Sequence, residues 1–342
     1  MIASIFFIVP GKPQNKGKSA SESARERQVF NPKTGKYETI KVETKAPYEK
    51  PFVSKIEYEK IAKSYEGPKR EIAKKTRLSL TERIKGAIGN IKNIATNAFD
   101  NTVGYGIAKY QNWQTKRYFK ANPDANTQIV YMMHGVDQNI GSQWRLAKTV
   151  HKQGKRAYHL KGHHSLPIEE NVNKAFKQIE DFHRHTKLKN IDLRNDLYTG
   201  HSSGGNVGLY MATDPRVTKY GISHVQARAP TPTGFKAKTL PQRLIKLVAN
   251  TAPEDITKEE GRRNVIKLHK RGEPYVPVHI VAGKYDRLVP PEITLYKHAK
   301  GIHVLEHPDS THFGTSGVND EINKVLLDIL NYHSEKKYKK AA

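Results

Sequence analysis

From Thr127 onward, short apolar runs alternate with helical patterns, and this alternation constrains the fold more than any other feature of the chain. Strands are predicted at Gln128–Met133, Arg156–Leu160, Asp196–Thr199, Gly221–Ala227, Val278–Ala282 and Ile302–Leu305. Helices are predicted at Ser142–Gln153, Ile168–Thr186, Gly204–Thr213, Pro291–Lys300 and Asn319–His333. In the second of these, Ile168, Val172, Phe176, Ile179 and Phe182 share one face. Strand and helix in regular turn imply an α/β fold. Its sheet is mostly parallel with helices on both faces, because a parallel crossover needs a connection of helix length. Residues 228–275 break the rhythm and are expected to form a short cap or lid over the working end of the sheet.

Upstream the texture differs. Apolar residues make up 36% of the chain, which is low for a sequence globular throughout, so a packed part and a polar part are expected to coexist. Residues 1–78 form a basic N-terminal extension, in which two alternating runs around Asn31-Pro32-Lys33-Thr34-Gly35 predict a hairpin over residues 28–42. The apolar start, Met1 to Pro10, is too short to cross a bilayer and has no charged residue before it. It is expected to be a strand rather than a signal segment, which suits a cytoplasmic protein, peripheral on a membrane at most. Residues 79–124 are a helical segment opening on a capping box, Ser79 to Glu82. There Ile84, Ile88, Ile91, Ile94 and Phe99 recur at helical spacing, and Val103, Ile107, Tyr110, Trp113 and Tyr118 follow as a second amphipathic stretch. Such faces either pack on the main domain or meet a membrane surface, with Lys and Arg on the polar side. The main domain spans 125–336, and a basic tail occupies 337–342.

The net charge of +26 favours anionic partners, a membrane surface or a polyanion reached through the extension. A nucleic-acid role would rest on charge alone, since no reading motif is present. The chain has no cysteine, which excludes disulfides, thiolate nucleophiles and iron–sulfur clusters. His159, His163 and His164 cluster at a strand end, but without carboxylate partners they make a poor metal site, and no metal or cofactor is expected.

The chemistry concentrates at Gly200-His201-Ser202-Ser203-Gly204, between a predicted strand and a predicted helix. A sharp strand-to-helix turn strains the middle residue, so its neighbours must be small, and its hydroxyl projects at the carboxyl edge of the sheet. Ser202 has glycine at both flanking places; Ser203 would need one at 201, where His201 stands. Ser202 is therefore the candidate nucleophile. A serine needs a base, and the base needs an orienting acid. Asp286 follows the strand Val278–Ala282 and precedes Pro290, which suits the acid better than Glu273 or Asp309. His312 lies in the loop after the last strand, whereas His307 is too near that strand and precedes a proline, so His312 is the candidate base. His134-Gly135-Val136-Asp137 directly follows the first strand of the main domain. The amides of Val136 and Ser203 are the candidate oxyanion donors. His134, Gly135, Asp137 and His201 are the candidate substrate contacts.

Over residues 127–336 the sequence resembles the α/β-hydrolases, lipases and esterases in particular. The resemblance rests on His134-Gly135, Trp144, Leu146-Ala147, Gly200 to Gly205, Gly283 to Pro290, and Thr311-His312-Phe313. It implies the α/β-hydrolase fold and a serine mechanism on carboxylic esters, with a small-molecule or lipid ester as substrate. The same residues serve thioesters, amides or acyl transfer, and the rival from another class is a non-catalytic basic binding protein on a hydrolase scaffold. The basic extension and the polar Asp137-Gln138-Asn139 loop depart from the family pattern.

Overall fold

The computed structural model describes residues 25–31, 36–42, 71–72, 74, 77–136, 138–163, 166–232, 267–268 and 270–335. Met1–Pro10, most of the expected cap, and the tail 337–342 lie outside them. The chain divides into two compact units, Met1–Phe52 and Val53–Ala342. The first holds the expected hairpin, β1 (Arg25–Asn31) paired antiparallel with β2 (Lys36–Val42).

The second unit is built on six parallel strands: β3 (Ile129–Met133), β4 (Arg156–Leu160), β5 (Asp196–His201), β6 (Ile222–Arg228), β7 (Val278–Gly283) and β8 (Gly301–Leu305). Their order across the sheet is β4-β3-β5-β6-β7-β8. Strands β3, β5 and β7 are buried along their whole length, as a sheet covered on both faces requires. Period-two alternation divides their side chains between two cores. Ile129, Tyr131 and Met133 point to one face, covered by α3 (Ile168–Thr186) and α4 (Ser203–Ala212). Val130 and Met132 point to the other, covered by α2 (Trp144–Lys152) and α6 (Asp320–Glu335). A short α5 (Arg216–Lys219) leads into β6.

Two expectations are corrected. The helix expected at Pro291–Lys300 is only a 3-10 turn, Pro291–Ile293. The Thr294 hydroxyl donates to the Pro291 carbonyl at 2.7 Å, taking the acceptor a continuing helix would offer to Leu295. The second correction concerns the helical segment, which is one continuous helix of 42 residues, α1 (Leu80–Ala121). Its capping box forms as expected, Ser79 Oγ accepting from the Glu82 amide and Glu82 from the Ser79 amide. It packs on the main domain, but by the opposite face from the apolar one. The buried positions are Gly86, Gly89, Asn93, Asn97, Asp100, Gly104, Ala108, Gln111, Thr115 and Phe119. Small residues there allow close approach: a Cβ on Gly104 would lie 2.4 Å from the Trp144 ring. Polar ones pair with the domain. Asn93 donates to the Asp309 carbonyl and Thr311 Oγ1, and Thr115 to the Ala157 carbonyl. Asp100 accepts from Trp144 Nε1 at 2.7 Å and pairs with Arg145 at 3.0 Å. Each buried polar atom so matched avoids the cost of desolvation without a partner.

Candidate active site

Strand β5 runs directly into α4 through Ser202, whose backbone sits at φ 52°, ψ −116°. A non-glycine residue held there stores strain of order ~1–3 kcal/mol, sustained only by its surroundings. Those surroundings are specific. The Ser202 amide donates to the Arg228 carbonyl at 2.8 Å, and the Ser202 carbonyl accepts from Asn206 N at 3.0 Å. Gly200 is required, because a Cβ there would lie 2.1 Å from the Gly204 carbonyl oxygen.

The loops after β7 and β8 meet beside this turn. His312 Nδ1 donates to Asp286 Oδ2 at 2.9 Å, and both residues are buried. The other carboxylate oxygen, Oδ1, accepts from the amides of Leu288 (2.9 Å) and Val289 (2.7 Å). Asp286 is thus a satisfied buried acid aimed at one imidazole, leaving His312 Nε2 as the ring's remaining nitrogen. His307 lies elsewhere, half-buried and paired with Glu321 at 2.8 Å. Asp309 pairs with Lys92, and Glu273 with His298. Among the described residues no hydrogen bond joins Ser202 Oγ to the His312 ring; the two are brought together through His201. His201 Nε2 donates to the His312 carbonyl at 2.9 Å, and the two rings lie 4.7 Å apart.

Six parallel strands in the order β4-β3-β5-β6-β7-β8, with a strained strand-to-helix turn at the carboxyl edge after β5, decide the architecture. The chain has the α/β-hydrolase fold. Strands β3 to β8 are its sheet, and Ser202, Asp286 and His312 stand in the turn after β5 and the loops after β7 and β8.

The expected substrate contacts sort differently. A Cβ on Gly135 would lie 3.0 Å from Ser202 Cβ, so this loop does border the serine. His134 is buried: its Nδ1 donates to the Gly135 carbonyl (2.9 Å) and its Nε2 accepts from Gly162 N (3.1 Å). Both nitrogens brace the loop rather than face a ligand. His201 is buried as well, and burial first, then the neighbouring His312 and Arg228, push its pKa well below the usual value. It is a neutral positioning group, not a substrate contact. Asp137 lies outside the described residues. His159, from the histidine cluster, is buried against Gln111 Oε1 at 3.0 Å, and no group of three metal-ligating side chains forms among the described residues.

Sequence reasoning passed over two residues. Gln138 Oε1 accepts from Gly135 N (2.9 Å) and lies 3.1 Å from His201 Nδ1, while its Nε2 donates to Asn97 of α1 (2.8 Å). It therefore ties the Gly135 loop to α1 and packs against the His201 ring beside the turn of Ser202. The only hint was its place in the polar stretch that departs from the family pattern. Arg228, next to the serine on β6, is buried with one nitrogen bonded to the Thr315 carbonyl at 2.9 Å. Burial lowers its pKa to about 9.

No family model matches this sequence, and no curated protein matches it. Solved structures do resemble it. A lipase-esterase related protein from Clostridium acetobutylicum is 14% identical, over 61% of this chain and 96% of that one, with a TM-score of 0.43. A soluble variant of monoglyceride lipase from Saccharomyces cerevisiae is 15% identical, over 61% and 88%, with a TM-score of 0.43. An enol-lactonase from Burkholderia xenovorans is 14% identical, over 60% and 92%, with a TM-score of 0.40. Likeness at this level carries no weight about chemistry, and the fold rests on the chain's own topology.

Proposed function

We propose that this protein is a cofactor-independent serine hydrolase acting on carboxylic esters. The observation that carries the reading is the buried His312–Asp286 bond of 2.9 Å held beside a serine in strained backbone. In the reaction, Ser202 Oγ attacks the acyl carbon while His312 Nε2 takes its proton and then returns it to the leaving alcohol. Asp286 holds the ring in the tautomer that leaves Nε2 free to accept, and stabilises the imidazolium. The serine–histidine contact closes on substrate binding, as such contacts do. The developing oxyanion is received by the amides of Val136 and Ser203. The Val136 amide is not engaged in a hydrogen bond among the described residues, and Ser203 stands at the first turn of α4, where the helix dipole also favours negative charge. Water then cleaves the acyl-enzyme. A small-molecule or lipid ester fits this chemistry.

A fluorophosphonate probe tests the reading. Covalent labelling of the wild type and none of Ser202→Ala is expected, with turnover across an ester panel of graded acyl length. Labelling absent in folded wild-type protein would leave the non-catalytic scaffold as the reading. Turnover confined to thioesters or amides would keep the mechanism and change the substrate class.

A further inference from the structure

Helix α1 turns its more hydrophobic side outward. Ile84, Ile88, Ile91, Phe99, Tyr110 and Trp113 each expose half or more of their surface. At the α-helical repeat these six fall within a sector of about 100°, opposite the buried Gly/Asn face, and span about 44 Å of the axis. Isolated apolar residues on a surface are ordinary, but two apolar clusters on one helix face, Ile84 to Phe99 and Tyr110 to Trp113, mark an interaction site.

The charges around the ridge identify what it meets. Lys85 and Lys109 are exposed at its edges, and Arg117 at its far end. Both acids of α1 are turned away: Glu82 is bonded to Ser79 and Lys284, and Asp100 is buried against Trp144 and Arg145. Tyr110 and Trp113 stack with ring centroids 5.6 Å apart, Arg117 lies over the Trp113 ring at 5.3 Å, and Lys109 over Tyr105 at 4.4 Å. At the helix start, Arg77, Arg83 and Arg287 line one cavity. Apolar side chains in line, amphipathic aromatics and basic flanks match an acidic lipid surface, where rings sit at headgroup depth and Lys and Arg reach the phosphates. A second copy of this chain is a poorer fit, since both copies would present the same basic rims and carry a net charge of +26. No helix among the described residues is long and apolar enough to cross a membrane, so α1 lies on a bilayer rather than through it.

We propose that α1 is an interfacial docking helix that seats this protein on acidic membranes through the ridge from Ile84 to Trp113. The inference is independent of the ester chemistry proposed above. Its geometry also matters for the site: Asn97, on the buried side of the same helix, is bonded to Gln138, which holds the Gly135 loop. The docking face and that loop therefore keep a fixed relation.

Flotation of the full chain with phosphatidylcholine vesicles holding about 30% phosphatidylglycerol tests the proposal. Charge alone will attract so basic a protein, so the decisive measure is binding that survives about 1 M salt, where Coulomb attraction is screened. The wild type and Ile88→Leu/Ile91→Leu should keep this salt-resistant fraction, while Ile88→Asp/Ile91→Asp should lower the partition coefficient about 100-fold. Brominated lipid should quench tryptophan fluorescence in the wild type and not in Trp113→Phe, which retains Trp144. Complete release of the wild type by salt, or equal binding by the Asp pair, would overturn the proposal. So would a salt-stable dimer that the Asp pair converts to monomer while the wild type shows no quenching by lipid. Labelling by fluorophosphonate, measured on the same variants, should not change.

Discussion

His201, the residue immediately before the serine, holds the main-chain carbonyl of His312 at 2.9 Å. The turn that strains Ser202 and the loop that carries His312 are therefore one mechanical unit. Thr315 Oγ1 donates to the same carbonyl at 2.9 Å, so the backbone of His312 is gripped twice. Replacing His201 with alanine should lower kcat through loss of this grip while leaving fluorophosphonate labelling detectable. Complete loss of labelling in folded His201→Ala would assign His201 a direct part in the chemistry.

The serine itself gives a two-sided prediction. Ser202→Ala should lower ester turnover on the order of 10⁶-fold, by analogy with other Ser–His–Asp enzymes, whereas Ser203→Ala should keep most of it because its amide, not its hydroxyl, is used. Ser202→Gly should be as inactive and yet more stable than Ser202→Ala, by about 1 kcal/mol, because glycine accepts φ 52° without strain. Equal melting temperatures for the two variants would show that the turn stores no strain.

The proposed base is separable from its neighbour in the same loop. His312→Gln should abolish turnover, and His307→Gln should leave most of it, since His307 is turned away from Ser202 and paired with Glu321. In pH–rate profiles the acid limb should show one ionisation only, because His201 is held neutral by burial and does not titrate in that range. A limb with slope two would contradict this.

A structural ion pair provides a stability test away from the serine. Asp196, at the start of β5, is buried and bonded to Arg194 at 2.8 Å and to the Ile129 amide at 2.8 Å. Arg194→Met should cost about 3–5 kcal/mol in urea unfolding at pH 7, because a buried carboxylate is left uncompensated. Burial already raises the Asp196 pKa to about 6, against the pull of Arg194. The deficit of the variant should therefore shrink toward pH 5 as the carboxyl takes up a proton. A deficit independent of pH would point to lost packing instead.

Buried histidines set the direction of the pH dependence. Burial lowers His183 to about 4 and His159 to about 3, and His201 well below the ordinary 6.5. Unfolded, all three take up protons below about pH 6.5. Stability from these groups is therefore complete above that pH and is lost as the pH falls toward 4. Asp196 acts oppositely between its raised value of about 6 and the ordinary 3.8, and offsets part of the loss. The urea midpoint should be lower at pH 5 than at pH 7, and His159→Gln should flatten the difference. No difference between the two pH values would refute the account.

Much of the fold was legible because its signals are local. Each strand of the main sheet is a short apolar run, and the turn at Ser202 needs glycines two residues away on either side, so neighbours along the chain carry the information. Asp286 and His312 were singled out because each lies in the loop that follows a strand, Asp286 three residues past β7 and His312 seven past β8. Other features were set by contacts between distant segments. Periodicity shows which residues of α1 share a face, but not which face is buried. The loops around Trp144 and Asp309 present polar groups and leave little room, so the Gly and Asn side satisfied them and the isoleucines were left outside. Gln138 became a hub by reaching Asn97, 41 residues earlier, and His201, 63 later, and no local pattern announces such a meeting. The sequence by itself determined the sheet and the loops that carry Ser202, Asp286 and His312; the tertiary structure decided what orients these side chains and which surface faces outward, because both depend on the geometry of packed neighbours.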